Sequence, residues 1–533
     1  MITKLGHIIE GSLSEGLVMR VAQGINLEQM KAGKFVAIKD EHHIFFSMIT
    51  NITLQVSHQD ILLYPPTEKE YLLNNFLKKK SMYAMVHLKP MILLDKQRKT
   101  LPVKIVPQHF SSVFEATEQD VSDIFGSEKN KSHSYFNIGS PLDMKTPVCI
   151  DLEKLTERSS GIFGKSGTGK TFLTRLVLAG LIKRQAATTL IFDMHNEYGL
   201  QARQESNIKF VKGLKTLFPS QVAIFSLDPI ATQRRGATPD VSIQLSYKDI
   251  RIEDILSLQA ELNLHSTALE AAYLIFNQYR ESWLLELLSN GHNAQEFAQK
   301  IGAHPESIAA LYRKLKRIER YPFFVKELPK KDSVIDRLLE YIDKKINVIV
   351  EFGNYTSTFC YLLLANIITR RIHQKYMEKT EKFLGTQQLQ DEPEQLVIVI
   401  EEAHKFLNPT AAAQTIFGMI AREMRKYYVS LLIIDQRPSG IDTEIISQIG
   451  TKLIAQLSDD RDIQAILMGT THSSLLKTVL GALDTKKQIL ATGHAIAMPI
   501  VLETRAYDEI FYQDMLQTPS HQSLEKVIDQ IFH

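Results

Sequence analysis

The sequence has little cysteine and no long hydrophobic run. Only two of its 533 residues are cysteines, Cys149 and Cys360, and neither stands in a spacing typical of a disulfide framework or a metal site. The longest apolar run, near residues 359–368, is too short to cross a bilayer. The N-terminal stretch MITKLGHIIEG has no signal-peptide core. We therefore expect no membrane anchor and a reducing, cytoplasmic setting.

An excess of charge of one sign is also lacking. The chain has 62 Lys and Arg residues against 60 Asp and Glu residues, a net charge of +2. Bulk charge thus does not indicate a polyanionic partner. A ring or groove can still concentrate a few basic side chains where a nucleic acid passes. Three local clusters of Lys and Arg are candidates for such a contact, at residues 78–80, 96–99 and 313–317.

A glycine-rich turn is the strongest signal that the sequence does contain. The stretch GKSGTGKT fits the pattern G-x-x-x-x-G-K-[ST], in which backbone N–H groups wrap the phosphates of a nucleotide. A short apolar run precedes the turn, and we expect an amphipathic helix over residues 171–184 to follow it, with its N-terminus facing the phosphates. The predicted nucleotide-binding residues are Gly164, Lys165, Ser166, Gly167, Thr168, Gly169, Lys170 and Thr171.

Two residues of this turn have separate predicted roles. Lys170 is expected to reach the β- and γ-phosphates, and the Thr171 hydroxyl is expected to bind Mg²⁺. A glycine-rich turn before a helix without a ligand is the structural alternative. The surrounding strand and helix favour the bound triphosphate.

A pair of carboxylates follows a later apolar strand, in the stretch QLVIVIEEAH at residues 395–404. Glu401 is predicted to join Thr171 on the metal side, and Glu402 to be the general base that positions or deprotonates the attacking water. The first position usually holds aspartate, so glutamate there leaves open a contact with Mg²⁺ through water. An acid-rich helix N-terminus is the alternative explanation.

Polar residues follow two other apolar strands. Gln436 comes after the run at residues 431–435, where its amide is predicted to sense the γ-phosphate or to orient the water. Asp193, His195 and Glu197 follow the strand at residues 188–193, but Asp-x-His-x-Glu is not a strong metal-binding spacing. A histidine at such a place is more often structural than a metal ligand.

Three arginines are candidates for a cation delivered to the γ-phosphate of a neighbouring subunit. Arg158 stands twelve residues before Lys170, and Arg422 and Arg425 lie in the stretch AREMRKYY. The alternative for the last two is the ordinary preference for cations at a helix C-terminus.

The order of short motifs predicts an α/β organisation. Residues 6–108 contain many short β runs separated by turn residues, as in a small barrel or sandwich. From about residue 139 strands alternate with helices, which indicates a mainly parallel sheet. A long helical region at roughly 250–345 interrupts this core rather than extending the sheet. The strand candidates after the glycine-rich turn are 188–193, 347–352, 396–401, 429–435 and 452–457.

In combination, the motifs GIFGKSGTGKT, FDMHNEY, VIVIEEAH and REMRKYYVSLLIIDQRPSGID resemble the HerA branch of the HerA/FtsK superfamily of hexameric DNA-pumping ATPases. The resemblance covers nearly the whole chain. It implies a RecA-like P-loop NTPase core with a mainly parallel sheet, an N-terminal small β-barrel and an inserted helical bundle. The expected boundaries are a barrel at 1–110, a linker at 111–138, the ATPase core at 139–249 and 346–510, the helical insertion at 250–345, and a C-terminal extension toward a neighbouring subunit at 511–533.

The resemblance also implies an activity and partners. A homohexameric ring would hydrolyse ATP with Mg²⁺ at its subunit junctions and drive double-stranded DNA through its channel. Glu402 would catalyse hydrolysis, Gln436 would sense the phosphate, and Arg158 or Arg425 would act across the interface. A nuclease such as NurA, docked on the barrel, would join it in DNA end processing and recombinational repair. The alternatives are an ATPase of an antiphage defence complex with an effector enzyme, and an ATP-stabilised scaffold.

Overall fold

The computed structural model describes residues 3–31, 33–57, 82–130, 134–142, 144–203, 210–329, 333–412, 415–470, 473–481, 483 and 487–516. These residues form two compact units. The first unit comprises Met1–Asp151, Thr451–Leu457 and Thr470–Arg505, and the second comprises Leu152–Gly450, Ser458–Gly469 and Ala506–His533, as far as these ranges are described.

The N-terminal part of the first unit is a closed antiparallel barrel. Its strands follow the order β2-β1-β7-β3-β4-β5, and a further pairing of β2 with β5 closes the ring of six, while β6 adds to β5. The strands are β1 (Lys4–Ser12), β2 (Gly16–Val21), β3 (Phe35–Lys39), β4 (Ile44–Val56), β5 (Met82–Leu94), β6 (Thr100–Leu101) and β7 (Ser112–Glu115). The predicted N-terminal barrel is confirmed.

Alternation of side chains explains why these segments close into a barrel. Residues two apart on one strand point to the same face, and Val36 and Ile38 of β3 are fully buried in the barrel core. Met19 of β2 and Val86 of β5 fill the same core. Closure leaves these six strands without a free edge.

The rest of the first unit contains two helices and a second antiparallel sheet. The sheet has the order β21-β22-β23-β8-β9, so the predicted strand at 452–457 is shorter and pairs antiparallel with β22. The elements are α1 (Glu118–Phe125), β8 (Tyr135–Pro141), β9 (Val148–Asp151), β21 (Thr451–Ile454), α19 (Ser473–Gly481), β22 (Gln488–Gly493) and β23 (Ile500–Thr504).

Residues 112–125, which the sequence led us to place in a linker, are folded. They form β7, which pairs with β1 and β3, and α1, whose N-terminus is capped by the Thr117 hydroxyl accepting from Asp120 N at 3.1 Å. Val113 and Val121 are fully buried. Both elements are too short for a clear period in the sequence. Residues 131–133 of the same range lie outside the described part.

The second unit is built on a seven-stranded parallel sheet of order β15-β14-β18-β11-β19-β20-β10. Its strands are β10 (Ser160–Phe163), β11 (Thr188–Asp193), β14 (Val222–Ser226), β15 (Val241–Ser242), β18 (Asn347–Glu351), β19 (Leu396–Glu401) and β20 (Val429–Asp435). Four of the predicted strands are thus confirmed, and β14 and β15 were not predicted. Small pairs join β12 (Ala202–Arg203) to β13 (Phe210–Val211) and β16 (Leu245–Ser246) to β17 (Phe324–Val325).

Helices make up the remainder of the second unit. A helical segment follows β16 and contains α6 (Ile252–Leu256), α7 (Gln259–Leu262), α8 (Ser266–Tyr279), α9 (Trp283–Asn290), α10 (Ala294–Ile301) and α11 (Pro305–Leu315). The other helices are α2 (Leu152–Glu157), α3 (Lys170–Arg184), α4 (Leu214–Leu217), α5 (Pro229–Arg234), α12 (Val334–Asp343), α13 (Thr358–Thr386), α14 (His404–Leu407), α15 (Pro409–Ala412), α16 (Ile416–Glu423), α17 (Thr443–Gln448), α18 (Asp460–Leu467) and α20 (Glu509–Leu516).

Helix α3 is not amphipathic, contrary to the prediction from the sequence. Every residue from Leu173 to Ile182 is buried. The helix can bury its polar residues because each has an internal partner: the Thr174 hydroxyl donates to Lys170 O at 2.9 Å, and Arg175 Nε donates to Glu197 O at 3.0 Å.

Within the described residues, no helix combines the length and the apolar character that crossing a bilayer requires. The predicted C-terminal extension begins inside the fold, since Lys183 Nζ donates to Met515 O at 2.8 Å. Its residues 517–533 lie outside the described part.

Candidate functional site

Four neighbouring strands of the parallel sheet end in an acidic residue. Glu351 ends β18, Asp193 ends β11, Glu401 ends β19 and Asp435 ends β20. Because carboxyl ends of parallel strands meet at one edge, these groups share that edge with the loop that follows β10. Ligands of open α/β sheets bind at this edge, so the fold brings the predicted phosphate loop and the predicted acids together.

The loop between β10 and α3 has a backbone that needs glycine. Gly167 and Gly169 have φ values of 79° and 90°, in the left-handed region that L side chains rarely adopt. Lys170 Nζ and the Thr168 hydroxyl both donate to Lys165 O, at 2.9 and 2.7 Å. These contacts close the loop at the N-terminus of α3, with its open side toward solvent at Gly167 and Gly169.

Glu402 and Gln436 are in direct contact. Gln436 Nε2 donates to Glu402 Oε1 at 3.1 Å, across the neighbouring strands β19 and β20. Glu402 has a φ of 49°, which is uncommon for a residue other than glycine and is typical of functional sites. The structure thus assembles the two residues that the sequence predicts for the attacking water.

His404 joins this pair and was not predicted. Its backbone N donates to Asp435 Oδ2 at 2.7 Å, and its Nδ1 lies 2.9 Å from the same oxygen. Nδ1 is also 3.7 Å from Glu402 Oε2. The hydrogen bond to Asp435 raises the pKa of His404, against the opposing effect of burial. The only signal in the sequence was its position two residues after Glu402.

Glu401 is buried behind the site. It is 7% exposed, and its Oε1 accepts from the Tyr198 hydroxyl at 2.7 Å. Burial, with the neighbouring Asp193 carboxyl, raises the pKa of Glu401 to about 8. Glu401 Oε2 is buried and has no hydrogen-bond partner in the described part of the chain.

The Thr171 hydroxyl contacts a different carboxylate. Thr171 Oγ1 donates to Glu197 Oε2 at 2.9 Å. Hydroxyl and carboxylate oxygens are ligands that suit Mg²⁺, which keeps several waters and takes further oxygens from phosphates. The donor set therefore fits a nucleotide-bound Mg²⁺. Among described residues, no cluster of three or more His, Cys, Asp or Glu forms a metal site by itself.

The remaining candidate residues are the three arginines and His195. Arg158 is exposed at the turn between α2 and β10. Arg422 is already engaged, since its Nε is 3.2 Å from Glu444 Oε2 and its Nη1 donates to Ala412 O at 3.0 Å. The side chain of Arg425 lies outside the described part. His195 is exposed.

The three basic clusters differ in their surroundings, as far as they are described. Residues 78–80 lie outside the described part. In the second cluster, the Arg98 guanidinium is paired with Asp120 and Asp123. In the third, Arg313, Lys314 and Lys316 are exposed at the end of α11.

Comparison with known proteins identifies the two parts of the chain. Residues 136–372 match the family described as "Helicase HerA, central domain", and residues 5–106 match the "HAS barrel domain". The DNA double-strand break repair helicase HerA of Sulfurisphaera tokodaii is 24% identical over 417 residues, which is 74% of this chain and 72% of that protein. The protein of the same name from Saccharolobus solfataricus is 23% identical over 517 residues, 95% of this chain and 92% of that one. The solved structure of VirB4 of Thermoanaerobacter pseudethanolicus aligns with a TM-score of 0.46 and 14% identity, covering 70% of this chain and 96% of that chain.

Proposed function

The chain belongs to the HerA family of ATP-hydrolysing enzymes, and from that premise we propose that it is a ring-shaped motor that moves along double-stranded DNA. The observation that carries the proposal is the contact of Glu402 with Gln436 at the strand ends beside the phosphate loop. A scaffold that only binds ATP needs the loop but no positioned base. A motor needs both, because each step of movement requires that ATP be hydrolysed.

Different residues of the site bind the phosphates, hold the metal ion and activate the water. The loop N–H groups and Lys170 hold the phosphates. Thr171 with a nearby carboxylate would hold Mg²⁺, which would neutralise charge that develops on the phosphates. Glu402 accepts a proton from the attacking water. Gln436 holds the Glu402 carboxylate through its amide N–H and leaves its amide oxygen to orient the water or to respond to the γ-phosphate.

The proposed assembly is a ring of six subunits with ATP between neighbours. An arginine supplied across a junction stabilises the charge of the transition state. Arg158 suits this role best among the described candidates, because its side chain is exposed, whereas Arg422 is held by Glu444 and Ala412 O of its own subunit.

The proposed pathway is DNA end processing in recombinational repair, with a NurA-like nuclease docked on the barrel. The relatives from S. tokodaii and S. solfataricus are named as double-strand break repair helicases, which supports this choice over defence against phage. The proposed location is the cytoplasm, where cysteines such as the buried Cys149 and Cys360 stay reduced.

ATP hydrolysis by the purified protein, with and without duplex DNA, tests the proposal. We expect DNA to stimulate hydrolysis, and we expect the Glu402→Gln protein to bind ATP but hydrolyse it neither with nor without DNA. Hydrolysis that is indifferent to DNA would instead support a partner-gated assembly such as a defence complex. Absence of hydrolysis in the intact protein would support the scaffold.

A further inference from the structure

Glu197 lies in the loop after β11, beside the first turn of α3. The loop carries the Glu197 carboxylate to this turn, where Oε2 accepts a hydrogen bond from the Thr171 hydroxyl, with 2.9 Å between the two oxygens. A hydroxyl has one proton and two lone pairs. With its proton held by Glu197, Thr171 has a lone pair free to face a cation.

The backbone of this loop is held at three points. Asp193, which is fully buried, accepts Glu197 N at 2.7 Å and Tyr198 N at 2.9 Å. The Arg175 guanidinium, 1% exposed, donates from Nε to Glu197 O at 3.0 Å. Because Arg175 stands four residues after Thr171 on the same helix, one turn of α3 contacts both the backbone and the side chain of Glu197.

The Asn196 side chain ties the loop to the segment that follows β18. Asn196 has a φ of 56°, and its side chain exchanges two hydrogen bonds with Gly353, from Nδ2 to Gly353 O and from Gly353 N to Oδ1, both at 2.9 Å. Such a braced loop fixes the direction of the Glu197 side chain before any ligand arrives.

Glu401, the residue that the sequence pattern places on the metal side, is held differently. Its Oε1 accepts from the Tyr198 hydroxyl, and the side chain is buried. Glu197 and Tyr198 are neighbours in the chain, so they link Thr171 to Glu401 in series. A carboxylate that acts through a fixed partner orients and tunes a metal site rather than completing it.

We propose that Glu197 is the metal-positioning carboxylate of this site: it accepts the hydrogen bond from the Thr171 hydroxyl, adds its charge beside the cation, and receives support from Glu401 through Tyr198. The inference rests on the proposed use of ATP with Mg²⁺. An acidic side chain placed only to favour a helix N-terminus would share the contact with Thr171 but would have no effect specific to metal.

Binding of the non-hydrolysable analogue adenylyl imidodiphosphate, measured by titration calorimetry in EDTA and in Mg²⁺, separates these explanations. For the parent protein, Mg²⁺ should tighten binding. Glu197→Gln, which keeps the shape and removes the charge, should reduce that gain by about tenfold or more and leave the affinity in EDTA unchanged. The proposal would be overturned if Mg²⁺ tightened binding to Glu197→Gln as much as to the parent protein. It would also be overturned if the substitution weakened binding equally in EDTA and in Mg²⁺.

Two further variants sharpen the result. Glu306→Gln removes an exposed acid from the first turn of α11 and should change neither affinity. Tyr198→Phe breaks the link to Glu401 and keeps the contact of Glu197 with Thr171, so the gain from Mg²⁺ should fall less than in Glu197→Gln. A larger loss of the Mg²⁺ effect in Tyr198→Phe than in Glu197→Gln would assign the main role to Glu401.

The proposed motor and the proposed role of Glu197 can fail separately. ATP hydrolysis that does not respond to DNA would count against the motor and would leave these binding results unaffected.

Discussion

At the scale of single residues, Asp435 organises the end of the sheet that carries Glu402 and Gln436. It is 1% exposed and accepts His404 N and Arg437 N, at 2.7 and 2.6 Å. These two bonds hold the backbone just after Glu402 and just after Gln436. The positions of Glu402 and Gln436 are therefore set by the backbone of two neighbouring strands, as a preorganised site requires.

Gln436→Ala should lower the rate of hydrolysis and leave nucleotide binding unchanged. The variant removes the amide that holds Glu402, and loss of one preorganised donor in an active site costs about 100-fold in kcat. Single-turnover hydrolysis and binding of adenylyl imidodiphosphate measure the two effects. Gln390→Ala, at an exposed position, is the control. A parallel loss of binding and rate would show that Gln436 only maintains the fold.

The contact of His404 with Asp435 should make stability depend on pH. Because the pKa of His404 is raised in the folded protein above its ordinary value of 6.5, the contribution of this contact is complete below about pH 6.5 and is lost as pH rises through the folded-state pKa. His404→Gln should therefore destabilise more at pH 5.5 than at pH 8.5, by about 1 kcal/mol.

Thermal melts of both proteins at the two pH values measure this difference. His292→Gln, at an exposed histidine of the helical segment, is the control for replacing a histidine elsewhere in the chain. An effect of His404→Gln that is the same at pH 5.5 and 8.5 would contradict a charged contact with Asp435.

At the scale of elements, the sequence predicts best those strands and loops that one uninterrupted stretch of residues forms. The strands at 188–193, 396–401 and 429–435 were predicted to the residue, because each is an apolar run that ends in an acid. The phosphate loop is likewise a continuous pattern. The strand Val222–Ser226 is as apolar as these, but it is followed by no motif and was missed.

Contacts between distant segments could be predicted only in part. Glu402 and Gln436 could be assigned to one site because both follow strands of one sheet. The contact of Glu197 with Thr171 could not, because it depends on where Asp193 and Arg175 hold a loop. The burial of α3 was missed for a similar reason, since Arg175 has its partner, Glu197 O, outside the helix.

Trp283 should be essential to the helical segment. It is fully buried in α9, and its Nε1 donates to Ile250 O at 2.9 Å. Trp283→Ala should destabilise by about 3–5 kcal/mol through the cavity that it leaves. Trp283→Phe should lower the free energy of unfolding by less, about 1–3 kcal/mol, because mainly the hydrogen bond to Ile250 O is lost. Circular dichroism during urea unfolding measures both, and an unchanged midpoint in Trp283→Ala would contradict this packing.

At the scale of the whole molecule, the proposed ring makes a prediction about mixed subunits. If Arg158 acts on the ATP of a neighbour, Lys170→Ala and Arg158→Ala proteins should each be inactive, and a mixture should regain activity at junctions where an intact Lys170 meets an intact Arg158. Hydrolysis by each protein and by the refolded mixture measures this.

The matched control is a mixture of Lys170→Ala with Glu402→Gln. Both residues belong to the same subunit's site, so every junction carries a defect and no activity should return. Failure of the Arg158 mixture to recover would move the role to Arg422 or Arg425, which can be tested in the same way.

The central claim, movement along double-stranded DNA driven by ATP, is tested most directly by displacement of a third strand from a DNA triplex. A motor that travels along the duplex strips off a labelled triplex-forming oligonucleotide in its path. We predict release that requires ATP and is lost in Glu402→Gln, although this variant still binds ATP. Hydrolysis stimulated by the duplex without any release of the third strand would contradict the account.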